Sequence, residues 1–284
     1  MMDIHPFLVI IFVVFIAPFI GAILYGVDRK ITARIQGRMG PPILQPIYDV
    51  TKLMRKEPIV VNGFQIIFAY LYLAFMIIAL LLLMLGQDLL MVLFVLAFST
   101  ISLILGGMSV RSPYSRIGAQ REIMQMMAYE PILIFMVVGI YLSNGSFLAR
   151  EIFESSKPLL LTLPLVFISL LAAVCIKMQK SPFDFATSHH AHQEIVKGVT
   201  IEYSGPYLAV IELAHFYEIF LVMFLVSMFW ANNVFIGAAL ALLSYFIVIV
   251  VDNAFARLTT FWMLRFMWTI VLGLAITNII WLYL

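Results

Sequence analysis

Carboxylates and imidazoles recur in this chain inside apolar sequence, and that combination points to proton or ion handling. Glu212, His215 and Glu218 follow one another at steps of three within an apolar run, which places them on one helix face with modest drift. Glu122 and Glu130 lie eight residues apart, so a continuous helix stacks them on one face, about 12 Å apart along its axis. Between two apolar runs, 177–205 (KMQKSPFDFATSHHAHQEIVKGVTIEYSG) carries nine ionisable side chains of mixed sign. Hydrocarbon penalises a charged side chain by about 2.5–3.5 kcal/mol on insertion scales, so such groups face a protein interior or a water path. Neighbouring carboxyls titrate as a coupled set, and a row of them can pass protons directly or through water. The plainer alternatives are interhelical hydrogen bonds for the Glu212–Glu218 row, pairing of Glu122 with Arg121 or Arg116 in solvent, and a hydrogen-bonded Glu130 held by a neighbouring helix.

Other chemistries find less support. His189, His190 and His192 suit a metal in type, but a site needs three or four convergent ligands, and no second His or Cys cluster completes one. They read instead as polar or proton-handling histidines of a loop. The single cysteine, Cys175, can form neither an internal disulfide nor a four-thiolate cluster. No GxGxxG or GxxxxGK[ST] phosphate loop occurs. No catalytic residue, metal or bound cofactor is therefore expected on this chain, and nucleic acid is not expected as a partner. Asp252 and Asn253, beside Arg257 and Arg265, read as ordinary pairing at the membrane interface.

The elements that position these residues follow from hydropathy. Of 284 residues, 64% are hydrophobic and 11% charged, far from the composition of a soluble domain, so the chain is an all-α integral membrane protein. Eight apolar runs approach the 20 residues a span requires: 6–25, 64–85, 89–110, 123–142, 159–176, 207–230, 234–251 and 266–284. The first is long enough to span and lacks the basic leader of a cleaved signal. A single multi-pass domain over 1–284 is expected, with polar loops at about 26–63, 111–122, 177–205 and 252–265. Fifteen of the seventeen Lys and Arg residues fall on those odd-numbered loops, so the loops are placed in the cytoplasm and both termini outside. In loop one, Arg34 and Arg38 share a helical turn by spacing, Gly40-Pro41-Pro42 breaks the helix, and ILQPIYDVTKLMRKE forms a short amphipathic helix at the interface. That basic segment reads as a lipid anchor and as a docking surface for a cytoplasmic partner, and the two roles are not exclusive.

Three motifs carry a resemblance across almost the whole chain. RIQGRMGPP–LQPIYDVTKL at 34–53, QMMAYE at 125–130 and SPFDFATSHHAHQEIVKGVTIEYSGP at 181–206 resemble the complex I subunit 1 / H-subunit family. Among its branches the chain is most similar to the membrane anchor of energy-converting (group 4) nickel–iron hydrogenases, such as the Ech-type B subunit. It departs from the quinone-reducing members in having almost no insertion between GPP and LQP. Its His189, His190 and His192 stand where an acidic run usually follows PFD, and His215 stands at an aligned Glu position.

The resemblance implies an eight-helix bundle around a polar cavity facing a cytoplasmic arm. The arm would hold hydrogenase-like large and small subunits carrying the nickel–iron centre and iron–sulfur clusters, with ferredoxin as the electron carrier. Antiporter-like membrane subunits would move protons or sodium. By motif position, Glu130, Asp184, Glu194 and Glu202 fall on the family's carboxylates, and Arg34, Arg38, Asp49 and Lys52 fall at the arm interface. With Glu122, His192, Glu212, His215 and Glu218 these make the expected path. The chain itself would be a non-redox subunit in the cell membrane. A quinone-site subunit of a complex I-type dehydrogenase, a sulfur-reducing or formate-linked relative and a standalone ion transporter are the alternatives.

Overall fold

The computed structural model describes residues 6–155, 157–180 and 197–283. Asp184, His189, His190, His192 and Glu194 lie outside the described residues. The described chain is helical, in the order α1 (Pro6–Ile35), α2 (Gln45–Met54), α3 (Gly63–Met84), α4 (Leu89–Met108), α5 (Pro113–Asn144), α6 (Ala149–Glu154), α7 (Leu159–Thr162), α8 (Pro164–Lys177), a 3-10 turn at Gly198–Thr200, α9 (Gly205–Trp230), α10 (Val234–Ala254) and α11 (Thr260–Leu282). Seven of these helices are long and apolar enough to cross a membrane.

The expected fifth span, 159–176, is broken. Leu163 leaves helical geometry (φ −125°, ψ 49°) before Pro164, and only the 14-residue α8 continues. The orphaned backbone groups at this break would be costly in hydrocarbon. Asn278 of α11 satisfies them: its Oδ1 accepts from Leu165 N at 2.8 Å and Val166 N at 3.2 Å, and its Nδ2 donates to Thr162 O at 3.1 Å. Helix α5 also departs from expectation, because it begins at Pro113, so most of the expected loop 111–122 is helix. Pro131 inside it removes a backbone donor to Met127 O, and Trp268 Nε1 donates to that carbonyl at 3.1 Å instead.

Helix α1 runs to Ile35, ten residues past its expected end. Gly37 (φ 71°) terminates it, with Gly37 N donating to Arg34 O at 3.1 Å and Arg38 N to Ala33 O at 2.7 Å. That paired closure is a left-handed glycine cap. Arg38 therefore lies past the helix and does not share a helical face with Arg34. The amphipathic helix expected after Gly40-Pro41-Pro42 is present as α2.

Helix α9 is the axis of the bundle, packing against α1, α2, α3 and α10. At Gly21 an added Cβ would lie 2.0 Å from Phe216 O, so α1 and α9 meet backbone to backbone. The basic loops converge on one end: Asn62 Nδ2 donates to Ser109 O at 2.8 Å, Ser204 Oγ to Ile59 O at 3.0 Å and Gln36 Nε2 to Asn253 Oδ1 at 3.0 Å. The alternate connections meet at the other end, where Asp88 pairs with Leu148.

Candidate functional site

At the basic end, α1, α2 and α9 enclose an outer cavity of about 300 Å³, lined among others by Arg29, Asp49, Lys52, Lys56, Lys197 and Glu212. Asp49 projects inward because α2 is amphipathic, and its carboxylate is held by Arg29 at 3.0 Å and by Gln45 Nε2 at 2.8 Å. Lys52 remains exposed, as do Arg34 and Arg38.

Tyr25, Lys197 and Glu212 also line a second, inner cavity of about 120 Å³, together with Tyr72, Glu122, Gln179 and His215. That volume accommodates several waters. Glu122 reaches it from α5, one turn after Gly118. A Cβ on Gly118 would lie 2.5 Å from Gly198 C, so the turn carrying Lys197 packs directly on this face. Glu122 is buried, and its Oε2 has no hydrogen-bond partner among the described residues. Such an oxygen needs a proton, a water or a cation. Tyr203, just before α9, packs against Gly106 of α4. Its hydroxyl donates to Gln65 O at 3.5 Å, and burial pushes its phenol up, so it remains protonated.

Beyond the inner cavity stands a buried ion-pair network. Lys177, the last residue of α8, places Nζ 2.8 Å from Glu218 Oε1. The same ammonium donates to Thr100 Oγ1 at 2.9 Å and to the Tyr129 hydroxyl at 3.1 Å. Glu218 Oε2 accepts from the Tyr72 hydroxyl at 3.1 Å and lies 3.3 Å from His215 Nδ1. A cavity of about 10 Å³, room for about one water, adjoins Glu122, Tyr72, Lys177 and Glu218. Glu212, Glu122, His215 and Glu218 are thus linked by cavities and hydrogen bonds into one polar line from the basic end into the bundle. Such a line can hold water and relay protons.

Glu130 and Glu202, both half-buried, line none of these cavities. On α5 the carboxylate that lines the cavities is Glu122, with the Tyr129 hydroxyl beside Lys177, while the expected Glu130 lines none of them. Among the described residues no group of three His, Cys, Asp or Glu side chains is arranged to hold a metal.

Sequence reasoning missed Lys177, Tyr72, Tyr129 and Thr100. It also missed a second buried cluster at the α1–α10 contact. There Lys180 Nζ lies 2.5 Å from Asp28 Oδ2 and 3.5 Å from Asp252 Oδ2, and Thr32 Oγ1 donates to Asp28 Oδ1 at 3.4 Å. Asp252 thus also reaches the Asp28 carboxylate's cluster through Lys180. Charge balance was the available signal, since a carboxylate sunk in a span calls for a cation near the end of a neighbouring one.

Comparison with known proteins agrees over nearly the full length. The family described as NADH dehydrogenase matches residues 7–283. The H-subunit of the NADH-quinone oxidoreductase of Bacillus cytotoxicus is 29% identical over 299 residues, covering 92% of this chain and 88% of that one. Its counterpart in Anoxybacillus flavithermus is 28% identical with the same coverage. Among solved structures, a chain of the membrane-bound sulfane sulfur reductase, an archaeal respiratory membrane complex, superposes with a TM-score of 0.86. It is 26% identical, with 98% of this chain and 99% of that one covered.

Proposed function

This chain belongs to the NADH dehydrogenase family, the complex I subunit 1 / H-subunit family, and on that premise we propose that it is the anchor and coupling subunit of an energy-converting hydrogenase. In this reading the outer cavity lies beneath a peripheral arm of hydrogenase-like large and small subunits. Redox turnover there, with ferredoxin as electron carrier, changes the charge at Glu212. The change passes through the water of the inner cavity to Glu122 and His215, and then to the Glu218–Lys177 pair. Antiporter-like subunits at the membrane end take up the change as proton or sodium movement. The excess of Lys and Arg on the converging loops supports a cytoplasmic position for that end.

The observation that carries the proposal is the continuity of the two cavities with the buried Glu218–Lys177 network. The charged walls of the outer cavity suit polar coupling better than a bound apolar quinone ring, which favours the quinone-free branch. A second reading, a sulfur-reducing arm in place of the hydrogenase, draws support from the near-complete match to the sulfane sulfur reductase chain. Mass spectrometry of the proteins that co-purify with this chain separates them. A large subunit with nickel-ligating cysteines supports the hydrogenase, one without them the sulfur reductase, and a bound quinone rejects both. Coupling itself is tested by Glu218→Gln, which should uncouple redox turnover from ion movement. Unchanged coupling would end the proposal.

A further inference from the structure

Glu130 stands near mid-depth of the bundle and on its outer surface. The depth follows from its neighbour. The Tyr129 hydroxyl lies 3.2 Å from Thr100 Oγ1, and Thr100 sits eleven residues from the start of α4 at Leu89 and eight from its end at Met108. At 1.5 Å per residue those ends are about 16 and 12 Å away, beyond the reach of a glutamate side chain. The direction follows from the helix face. Met127, Glu130 and Ile134 share one stripe of α5 at steps of three and four, and Met127 and Ile134 are both exposed. Glu130 is half-buried between them.

A carboxyl in that position needs company. Among the described residues it has no hydrogen bond and no ion pair. The Lys177 ammonium acts on it at a distance, but that ammonium is already held by Glu218, Thr100 and Tyr129. Hydrocarbon penalises an ionised Glu130, and a protonated one leaves its hydroxyl without an acceptor. Beside it Trp268 of α11 is also exposed, with its indole fixed by the bond to Met127 O at 3.1 Å. Exposed tryptophans of membrane proteins gather at the headgroup level, and one set deeper is the kind of aromatic that protein interfaces enrich.

We propose that this stripe of α5, with Trp268 beside it, is the contact for a membrane-spanning helix of a neighbouring subunit, and that this helix brings a lysine or arginine against Glu130. Charge complementarity selects the occupant, because carboxylates inside membranes are paired with cations or with other polar groups of protein rather than left to lipid. A neighbour in the membrane is in keeping with the structural relative, which is a chain of a respiratory membrane complex. Only the width of α5 separates this contact from the bond between Tyr129 and Lys177. The neighbour therefore sits directly against the inner polar line, with one cation on each side of the helix.

The inference rests on this chain being one of several membrane subunits of the complex proposed above. In native membranes holding the assembled complex, the photoreactive residue benzoylphenylalanine replaces Met127 or, separately, Ile134. After illumination the cross-linked peptides are sequenced by mass spectrometry. Both positions should join the same membrane-spanning segment of a different subunit, with a lysine or arginine within about a turn of the attachment point. Attachment to lipid alone, to a second copy of this chain or to a segment without a basic residue overturns the proposal. Glu130→Lys should then cut the Met127 cross-link about tenfold or more, because like charges set together repel partners. Changing the partner's basic residue to glutamate in the same complex should restore it. Should Glu130→Lys prevent assembly, recovery of the complex in that double variant is the readout instead. A double variant that restores neither overturns the pairing. Glu218→Gln keeps the two readings apart: capture at Met127 with coupling intact in that variant leaves the interface standing and removes the coupling role, while uncoupling without capture does the reverse.

Discussion

Lys177 reaches from the end of α8 to the middle of α9 and sets its ammonium 2.8 Å from Glu218 Oε1, with both side chains less than a tenth exposed. Removing one partner from such a pair strands a buried charge, at a cost of about 3–5 kcal/mol. Lys177→Met and Glu218→Leu should each lower the unfolding midpoint of the purified protein strongly. The double variant should recover much of the loss, since replacing both charges leaves neither unpaired. A double variant as unstable as the sum of the two singles would show that the residues do not act as a pair.

Trp268 and Pro131 form a compensating pair on the outward-facing side of α5. The proline frees Met127 O, and the indole of Trp268 donates to it at 3.1 Å. Trp268→Phe should cost about 1 kcal/mol, the usual size of an interhelical hydrogen bond in membranes. In a Pro131→Ala background, where the helix supplies its own donor, the same substitution should cost markedly less. Thermal unfolding of the four proteins in one detergent measures the coupling, and equal costs in both backgrounds would refute it.

Asn278 bears the break between α7 and α8 alone among the described side chains that reach those backbone groups. Asn278→Leu is nearly isosteric yet abandons three hydrogen bonds. It should cost about 3 kcal/mol, because unpaired backbone groups in a dry interior are expensive. Unfolding midpoints, read beside a surface control such as Thr277→Val, check this. A loss no larger than the control's would mean that water or lipid headgroups serve the break.

Much of the bundle was legible because hydropathy is a local property. Glu212, His215 and Glu218 could be placed on one inward face from their spacing alone. What escaped depended on partners distant in sequence. Lys177 closes an apolar run and reads as the start of a loop until Glu218 is seen opposite it. Asp28 sits in the run VDRK beside two basic residues, and nothing local marks it as the buried partner of Lys180. The 159–176 run has nearly the apolar length of a span, so its break required Asn278, more than a hundred residues later, to be tolerable. Arg34 and Arg38 have helical spacing, but Gly37 between them ends the helix. The expected places of Asp184, His192 and Glu194 fall outside the described residues.

Gln179 supplies a last prediction. Its left-handed backbone separates Lys177 from Lys180, and side chains branched at Cβ tolerate that conformation least. Gln179→Asn keeps a polar group and suits the turn, so it should leave stability equal or slightly higher. Gln179→Val should cost about 1–2 kcal/mol, the penalty for forcing a hindered residue into that region. If the turn also aims the two lysines, the valine variant should lower ion movement per redox turnover while asparagine does not. Unfolding midpoints and coupled ion uptake on the same preparations test both halves. A valine variant as stable and as well coupled as the parent would show that the turn holds neither lysine in place.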